Sequence, residues 1–192
     1  FGTLPDRPAV TAETFGAQRQ AKRAEAAAVG TRIAEKLEEN AYVVAGFLGA
    51  DLKDAQDHRT LTVAAQIIEA RMREWPLDER GGAGRGGAGA RAVPGSAFPG
   101  FGLVIGTSEV PVVQADTVMQ KLDKLFEDVR ERGPTPEETK AVTAKLSATA
   151  TELLERPGYW SAFVSLSVYH GLKLSEFVNE PAEYARITPE DV

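Results

Sequence analysis

DHRTLTVAAQIIEARMREW (57–75), then RGGAGRGGAGAR (80–91), then FPGFG (98–102), is the stretch on which the fold turns. In its first part the apolar side chains Leu61, Ala64, Ala65, Ile68, Met72 and Trp75 recur at the spacing of one helical face, which predicts an amphipathic helix from Asp57 to Trp75. Pro76 disfavours helix at Trp75 and marks its end. The glycine run that follows has almost no side chain to bury. If ordered, it must be held by backbone hydrogen bonds, as an edge strand or a backbone clamp.

Upstream of the helix, AYVVAGFLGA (41–50) is short, apolar and β-rich and reads as a buried strand. Residues 21–40 are rich in Ala, Glu and Lys, which favours helix, but Gly30, Thr31 and Ile33 make a strand through Val29–Leu37 equally defensible. Residues 1–20 read as an extended connector from a preceding domain. Downstream, GLVIGT (102–107) reads as another strand. Val118, Leu122, Leu125, Phe126 and Val129 predict a helix over Val112–Glu131, stopped by Gly133. Thr135-Pro136-Glu137-Glu138 is a capping box that opens a helix with Val142, Leu146, Ala150, Leu153 and Leu154 on its inner stripe. Pro157-Gly158 breaks it, and shorter helices are expected over Tyr159–Gly171 and Ser175–Tyr184. This order of elements predicts an α+β fold: one domain over 21–192, an antiparallel sheet with helices packed on one face.

Composition narrows the function classes. The 192 residues carry a net charge of −6 and a pI near 5.1, which argues against a polyanion-binding surface over the chain as a whole. There is no cysteine, so disulfides and thiolate metal sites or nucleophiles are excluded. No apolar run approaches the roughly 20 residues of a membrane span. The expected setting is the bacterial cytoplasm or periplasm. Phe1-Gly2-Thr3 opens without methionine, and Thr188-Pro189-Glu190-Asp191 reads as the start of a helix with no helix behind it. A chain truncated at both ends is the expectation.

FGTLPDRP (1–8), AYVVAGFLGADL (41–52), DHRTLTVAAQIIEARMRE (57–74), PGFGLVIGTSE (99–109), ERGPTPEETKAVTAKL (131–146) and ITPEDV (187–192) together resemble the C-terminal domain of the insulinase-like (pitrilysin-type) zinc metallopeptidases, a family that includes the mitochondrial processing peptidases. The resemblance implies the second domain of a pair, with two pairs closing like a clamshell around an unfolded peptide. It also implies that zinc sits elsewhere, on a His-x-x-Glu-His helix of a preceding or partner peptidase domain. Here the only histidines are His58 in DHRT and His170 in YHGL, and neither forms that pattern. No metal and no catalytic residue is therefore expected in this chain.

Some C-terminal domains of the family contribute an Arg-Glu-x-x-Gly-x-x-Tyr segment that binds substrate backbone or stabilises the oxyanion. The best register places Leu77–Arg85 on it, with Asp78 at the arginine position and Arg85 at the tyrosine position. An acid cannot donate to a developing oxyanion, so that role is lost. The resemblance thus implies a non-catalytic domain of such a peptidase, or of its inactive partner subunit, that shapes the peptide chamber.

The glycine run invites rival readings. Gly82-Ala83-Gly84-Arg85-Gly86-Gly87 satisfies the dinucleotide pattern in form, but a helix precedes it and prolines follow, whereas phosphate binding needs a strand before and a helix N-terminus after. Arg-Gly-Gly at Arg80 and Arg85 suggests an RNA-binding segment, yet no aromatic residues interleave the repeats and the chain is acidic, so no nucleic acid is expected. A glycine-rich edge can instead take in an extended peptide as an added strand, which makes Gly82, Gly84, Arg85, Gly86 and Gly87 the candidate substrate-binding residues. The same edge could pair with a partner subunit, as a homo- or hetero-dimer. The alternative from another class is a peptide- or protein-binding module with no peptidase connection. Trp75, Tyr159, Trp160 and Phe163 fall on apolar helical stripes and are expected as core anchors.

Overall fold

Alternation in NAYVVAGFLG and GLVIGTSEVP gives each segment two faces, and the two pair over their full length. Strand β1 (Asn40–Gly49) runs antiparallel to the long strand Gly102–Pro111, with Val43 opposite Ser108 and Leu48 opposite Leu103. The end of the glycine run forms β2 (Gly89–Val93), so Gly102–Pro111 is β3; β2 pairs antiparallel with its other edge and the strand order is β1-β3-β2. The computed structural model describes residues 40–76, 88–95 and 101–192. The proposed connector, the ambiguous segment before Asn40 and most of the glycine run lie outside them.

The helices are α1 (Ala55–Arg73), α2 (Ala115–Arg132), α3 (Pro136–Leu154), α4 (Pro157–His170), α5 (Leu174–Val178) and α6 (Glu180–Ala185), with short 3-10 turns at Val112–Gln114 and Pro189–Asp191. The result is the expected α+β architecture. Helices α1 and α2 cover one face of the sheet: Ile68, Met72, Val118, Leu122 and Val129 meet Val43, Ala90 and Val110 in the main core. Gly106 on β3 lets α2 come this close, since a Cβ there would stand 2.8 Å from Leu122 Cδ1 and 3.3 Å from the Phe126 ring. At the margin of this layer Phe47 meets Phe126 edge to face, 5.5 Å between centroids.

Helix α1 is buried on two sides, which the sequence stripe did not anticipate. Besides Ile68 and Met72, its Val63 and Ile67 enter a second core with Ala150 of α3, Tyr184 of α6 and Ile187. Full burial of Ile67, Ile68 and Met72 contributes about 1.5–3 kcal/mol each. Leu61, placed on the expected stripe, is only half-buried.

Arg71, in the last turn of α1, joins the three long helices. Its Nε and Nη2 donate to the two carboxylate oxygens of Glu138 (2.7 and 2.9 Å), Nη1 donates to Asp128 (3.0 Å) and Nη2 reaches the Gly133 carbonyl (3.4 Å). Glu138 is also the acid of the predicted capping box: the Thr135 amide donates to it (2.7 Å), while the Thr135 hydroxyl accepts from the Glu138 amide (3.2 Å). Hydrogen bonding from Arg71, reinforced by Thr135, pulls the Glu138 carboxyl down to about 2.

Three expectations are corrected. The segment 41–50 is a strand but not a buried one: only Val43 is buried, because no described helix covers the opposite face. The preceding helix ends before Pro157 as expected, but α4 starts at Pro157 itself rather than at Tyr159, since proline is well suited to the first helical position. The helix expected over Ser175–Tyr184 divides into α5 and α6 at Asn179, where Pro181 cannot supply an N–H to a continuous helix. Phe163 is buried as an anchor, while Tyr159 and Trp160 are half-buried around it; the Trp160 indole donates to the Leu154 carbonyl at 2.6 Å. Thr188 caps the terminal 3-10 turn through Asp191.

Candidate functional site

The register fixes what the sheet presents away from its helices. Side chains two apart along a strand share a face, and directly paired residues share it across strands. Rows on the uncovered face are therefore Leu48–Leu103–Val93, Gly46–Ile105–Arg91, Val44–Thr107–Gly89 and Tyr42–Glu109. Tyr42 is 58% exposed, Val44 46%, Leu48 44%, Leu103 41% and Val93 37%, a band of apolar side chains spanning three strands. Exposed apolar surface that is contiguous, rather than scattered, marks an interaction site.

The face is nearly uncharged. Among the described residues its ionisable groups are Arg91 and Glu109, toward opposite ends of β3, with Tyr42 beside Glu109; the Asn40 amide donates to Glu109 at 3.3 Å. Gly46 keeps the centre of the face shallow, because a Cβ there would stand 2.9 Å from Ile105 Cγ2. Each outer strand has one edge bonded to β3 and one edge that no described strand occupies. Such an edge offers backbone donors and acceptors to an extended chain.

Asp78, Gly82, Gly84, Arg85, Gly86 and Gly87 lie outside the described residues. The run to which they belong leads into Gly89, the first residue of β2. His58 sits in the opening turns of α1, where burial, and then the neighbouring Arg59, hold its imidazole below the usual range. Among the described residues no three His, Cys, Asp or Glu side chains converge as a metal site.

Sequence reasoning passed over two features. The uncovered face was hidden because Ala41–Ala50 is apolar at both parities, a pattern also expected of a strand buried on both sides. The second is a polar cluster between α1 and the C-terminal helices. Glu180 lies among the hydroxyls of Tyr159 and Tyr184 and the charge of Arg59, whose residue is only 9% exposed. Burial raises the Glu180 carboxyl and pushes both tyrosines up to about 12. Only the tertiary packing of α6 on α1 assembles these groups.

No family model and no curated protein matches the sequence. Solved structures match in fold. The inactive domain of a peptidase of family M16 from Pseudomonas fluorescens superposes with a TM-score of 0.62 at 16% identity, over 80% of this chain and 36% of that one. The inactive peptidase domain of a protein assigned as a zinc protease, from Bordetella parapertussis, gives 0.65 at 14% identity over 80% of each chain. A protease from Helicobacter pylori gives 0.66 at 12% identity, over 95% of this chain and 48% of that one. The chain thus spans about a third to a half of two of these proteins, and it has the fold of inactive M16-type peptidase domains.

Proposed function

We propose that the chain is a non-catalytic domain of an insulinase-like zinc metallopeptidase, or of its inactive partner subunit, and that it forms one wall of a peptide-binding chamber. The observation that carries this reading is the uncovered sheet face with Tyr42, Val44, Leu48, Leu103 and Val93 exposed on it. A flat, shallow, nearly uncharged surface between strand edges suits an unfolded peptide, whose backbone can add to an edge while its side chains lie on the band. Likeness in fold to the Pseudomonas and Bordetella inactive domains supports the same reading. Zinc belongs, on this account, to a preceding or partner domain.

Mixing the chain with a separately made zinc-bearing peptidase half tests it. The expected outcome is chelator-sensitive cleavage of an extended peptide that neither part performs alone, reduced when Leu103 is replaced by Asp. Peptide binding without any restored cleavage would instead favour a binding module with no peptidase connection, the reading that rests on the strand edges that no described strand occupies. The glycine run is proposed to extend the peptide grip beyond β2. Deleting Gly81–Gly87 should leave the helical layer folded and weaken peptide binding; unchanged binding would remove the run from the site.

A further inference from the structure

One residue of the uncovered sheet face is out of keeping with its surroundings. Arg91, in the middle of β2, is exposed, and Ile105 and Gly46 complete its row. Two residues further along β2, on the same face, Val93 heads the apolar row that runs through Leu103 to Leu48. Two residues before Arg91 stands Gly89, where a Cβ would meet nothing within 4 Å. The guanidinium therefore has bare strand on one side and the apolar band on the other. Among the described residues it has no hydrogen-bond or ion-pair partner. The acid of this face, Glu109, lies four residues along β3 from Ile105, about 13 Å at the rise of a strand and beyond the screening length of about 8 Å in physiological salt, so it does not neutralise Arg91.

We propose that Arg91 determines specificity on this face, by selecting an extended peptide that adds to the outer edge of β2 with a carboxylate opposite Arg91 and an apolar side chain two residues away, beside Val93. The inference rests on the reading of the face as the wall of a peptide chamber. A strand added at that edge, which no described strand occupies, continues the rows of the sheet. The peptide residue in line with Arg91 then projects onto the same face with its Cβ about 5 Å away, and the next one on that face follows about 7 Å along, as Val93 follows Arg91. Charge assigns the peptide to the β2 edge rather than the β1 edge, because the open-face side chains of β1, Tyr42, Val44, Gly46 and Leu48, carry none at neutral pH. A planar guanidinium takes a carboxylate through two parallel hydrogen bonds, and apolar surroundings strengthen both. The carboxylate of an Asp or Glu side chain and that of a peptide C-terminus share this chemistry. A chain of net charge −6 repels a peptide that is acidic throughout, so the ligand carries one carboxylate at this place rather than an acidic run.

Fluorescence anisotropy with the full chain and a labelled, unstructured, C-terminally amidated peptide centred on Leu-Thr-Glu-Thr-Leu tests this. The wild-type chain should bind it at least about threefold more tightly than the same peptide with glutamine in place of glutamate, and the preference should shrink in concentrated salt. Arg91→Gln should abolish the preference and Arg91→Glu should turn it toward the lysine peptide, both with unchanged melting because the residue is exposed. A third peptide, with glutamine at the centre and a free C-terminal carboxylate two residues beyond a leucine, separates the sources: a preference for it alone assigns the peptide terminus, and a preference for the amidated glutamate peptide assigns the side chain. Equal binding of all these peptides, weakened by Leu103→Asp, would overturn the role of Arg91 and leave the chamber wall standing. A preference that persists in Arg91→Gln would likewise overturn it. Binding to none of the peptides, or binding indifferent to Leu103→Asp, would overturn the wall and the role of Arg91 with it.

Discussion

Replacing Arg71 with methionine keeps an aliphatic stem against α1 and removes every donor by which Arg71 joins α1 to α2 and α3. Three of the lost bonds are charge-assisted, at 2.7, 2.9 and 3.0 Å, and bonds of that kind contribute about 1.5–3 kcal/mol each. Two facts lower the sum. The side chains of Arg71, Glu138 and Asp128 are 19%, 29% and 32% exposed, so water screens the pairs. Neither acid is left alone, because Glu138 keeps Thr135 and Asp128 keeps Arg132 at 3.0 Å. The expected cost is about 2–3 kcal/mol at neutral pH, near the lower end for breaking a buried pair.

The cost should depend on pH with a defined sign. The folded-state Glu138 carboxyl lies at about 2 against the ordinary 4.5, so its stabilisation is present above the unfolded value and disappears as pH falls through the folded one. A displacement of that size corresponds to roughly 3 kcal/mol before screening, at about 1.4 kcal/mol per tenfold. Without Arg71 the carboxyl returns toward its ordinary range. Urea denaturation of both proteins should therefore give a difference that shrinks steadily between pH 4.5 and 2. A difference below about 0.5 kcal/mol at neutral pH, or one that is the same in acid, would refute the clamp.

Gly106→Val forces a side chain against Leu122 and Phe126 and should cost about 1–3 kcal/mol in the same assay, most of it recovered when Leu122 is also shortened to Ala. Adjacent residues on β3 should respond oppositely to charge: Leu103→Asp, on the open face, should leave the midpoint within about 1 kcal/mol of wild type, while Val104→Asp, fully buried, should prevent folding, as circular dichroism would register. Burial raises the Glu180 carboxyl, so its contribution is greatest below the unfolded value and is lost as pH rises through the folded one. Glu180→Gln should therefore flatten the decline of stability between mildly acidic and neutral pH; an unchanged profile would remove Glu180 as its source.

Periodicity made the helices legible, and chemistry made their ends legible: the Thr135–Glu138 capping box stands where the sequence places it. What pattern could not supply was the number of faces each element buries. Val63 and Ile67 of α1 fall outside the single stripe read from the sequence, because their partners, Ala150, Tyr184 and Ile187, are far away in the chain. Tyr42, Val44 and Leu48 looked buried because alternation in β1 is apolar at both parities; only pairing with β3 shows which parity meets α1 and α2. The α5–α6 division is readable from Pro181, which cannot supply the N–H of a continuous helix. Arg71 and Glu180 gave no clear local signal, since Asp128 and Glu138 lie on other helices than Arg71, and Arg59 and Tyr159 on other helices than Glu180.

Peptide contact at the open face tests the central claim most directly. A photo-reactive phenylalanine analogue placed at Leu103, in the chain assembled with a zinc-bearing peptidase half, should cross-link to an extended peptide in competition with unlabelled peptide, whereas the same group at Lys145 on α3 should not. Cross-linking at Lys145 and not at Leu103 would contradict the account, because the peptide would then lie on the helical layer and the exposed band of the sheet would have another purpose.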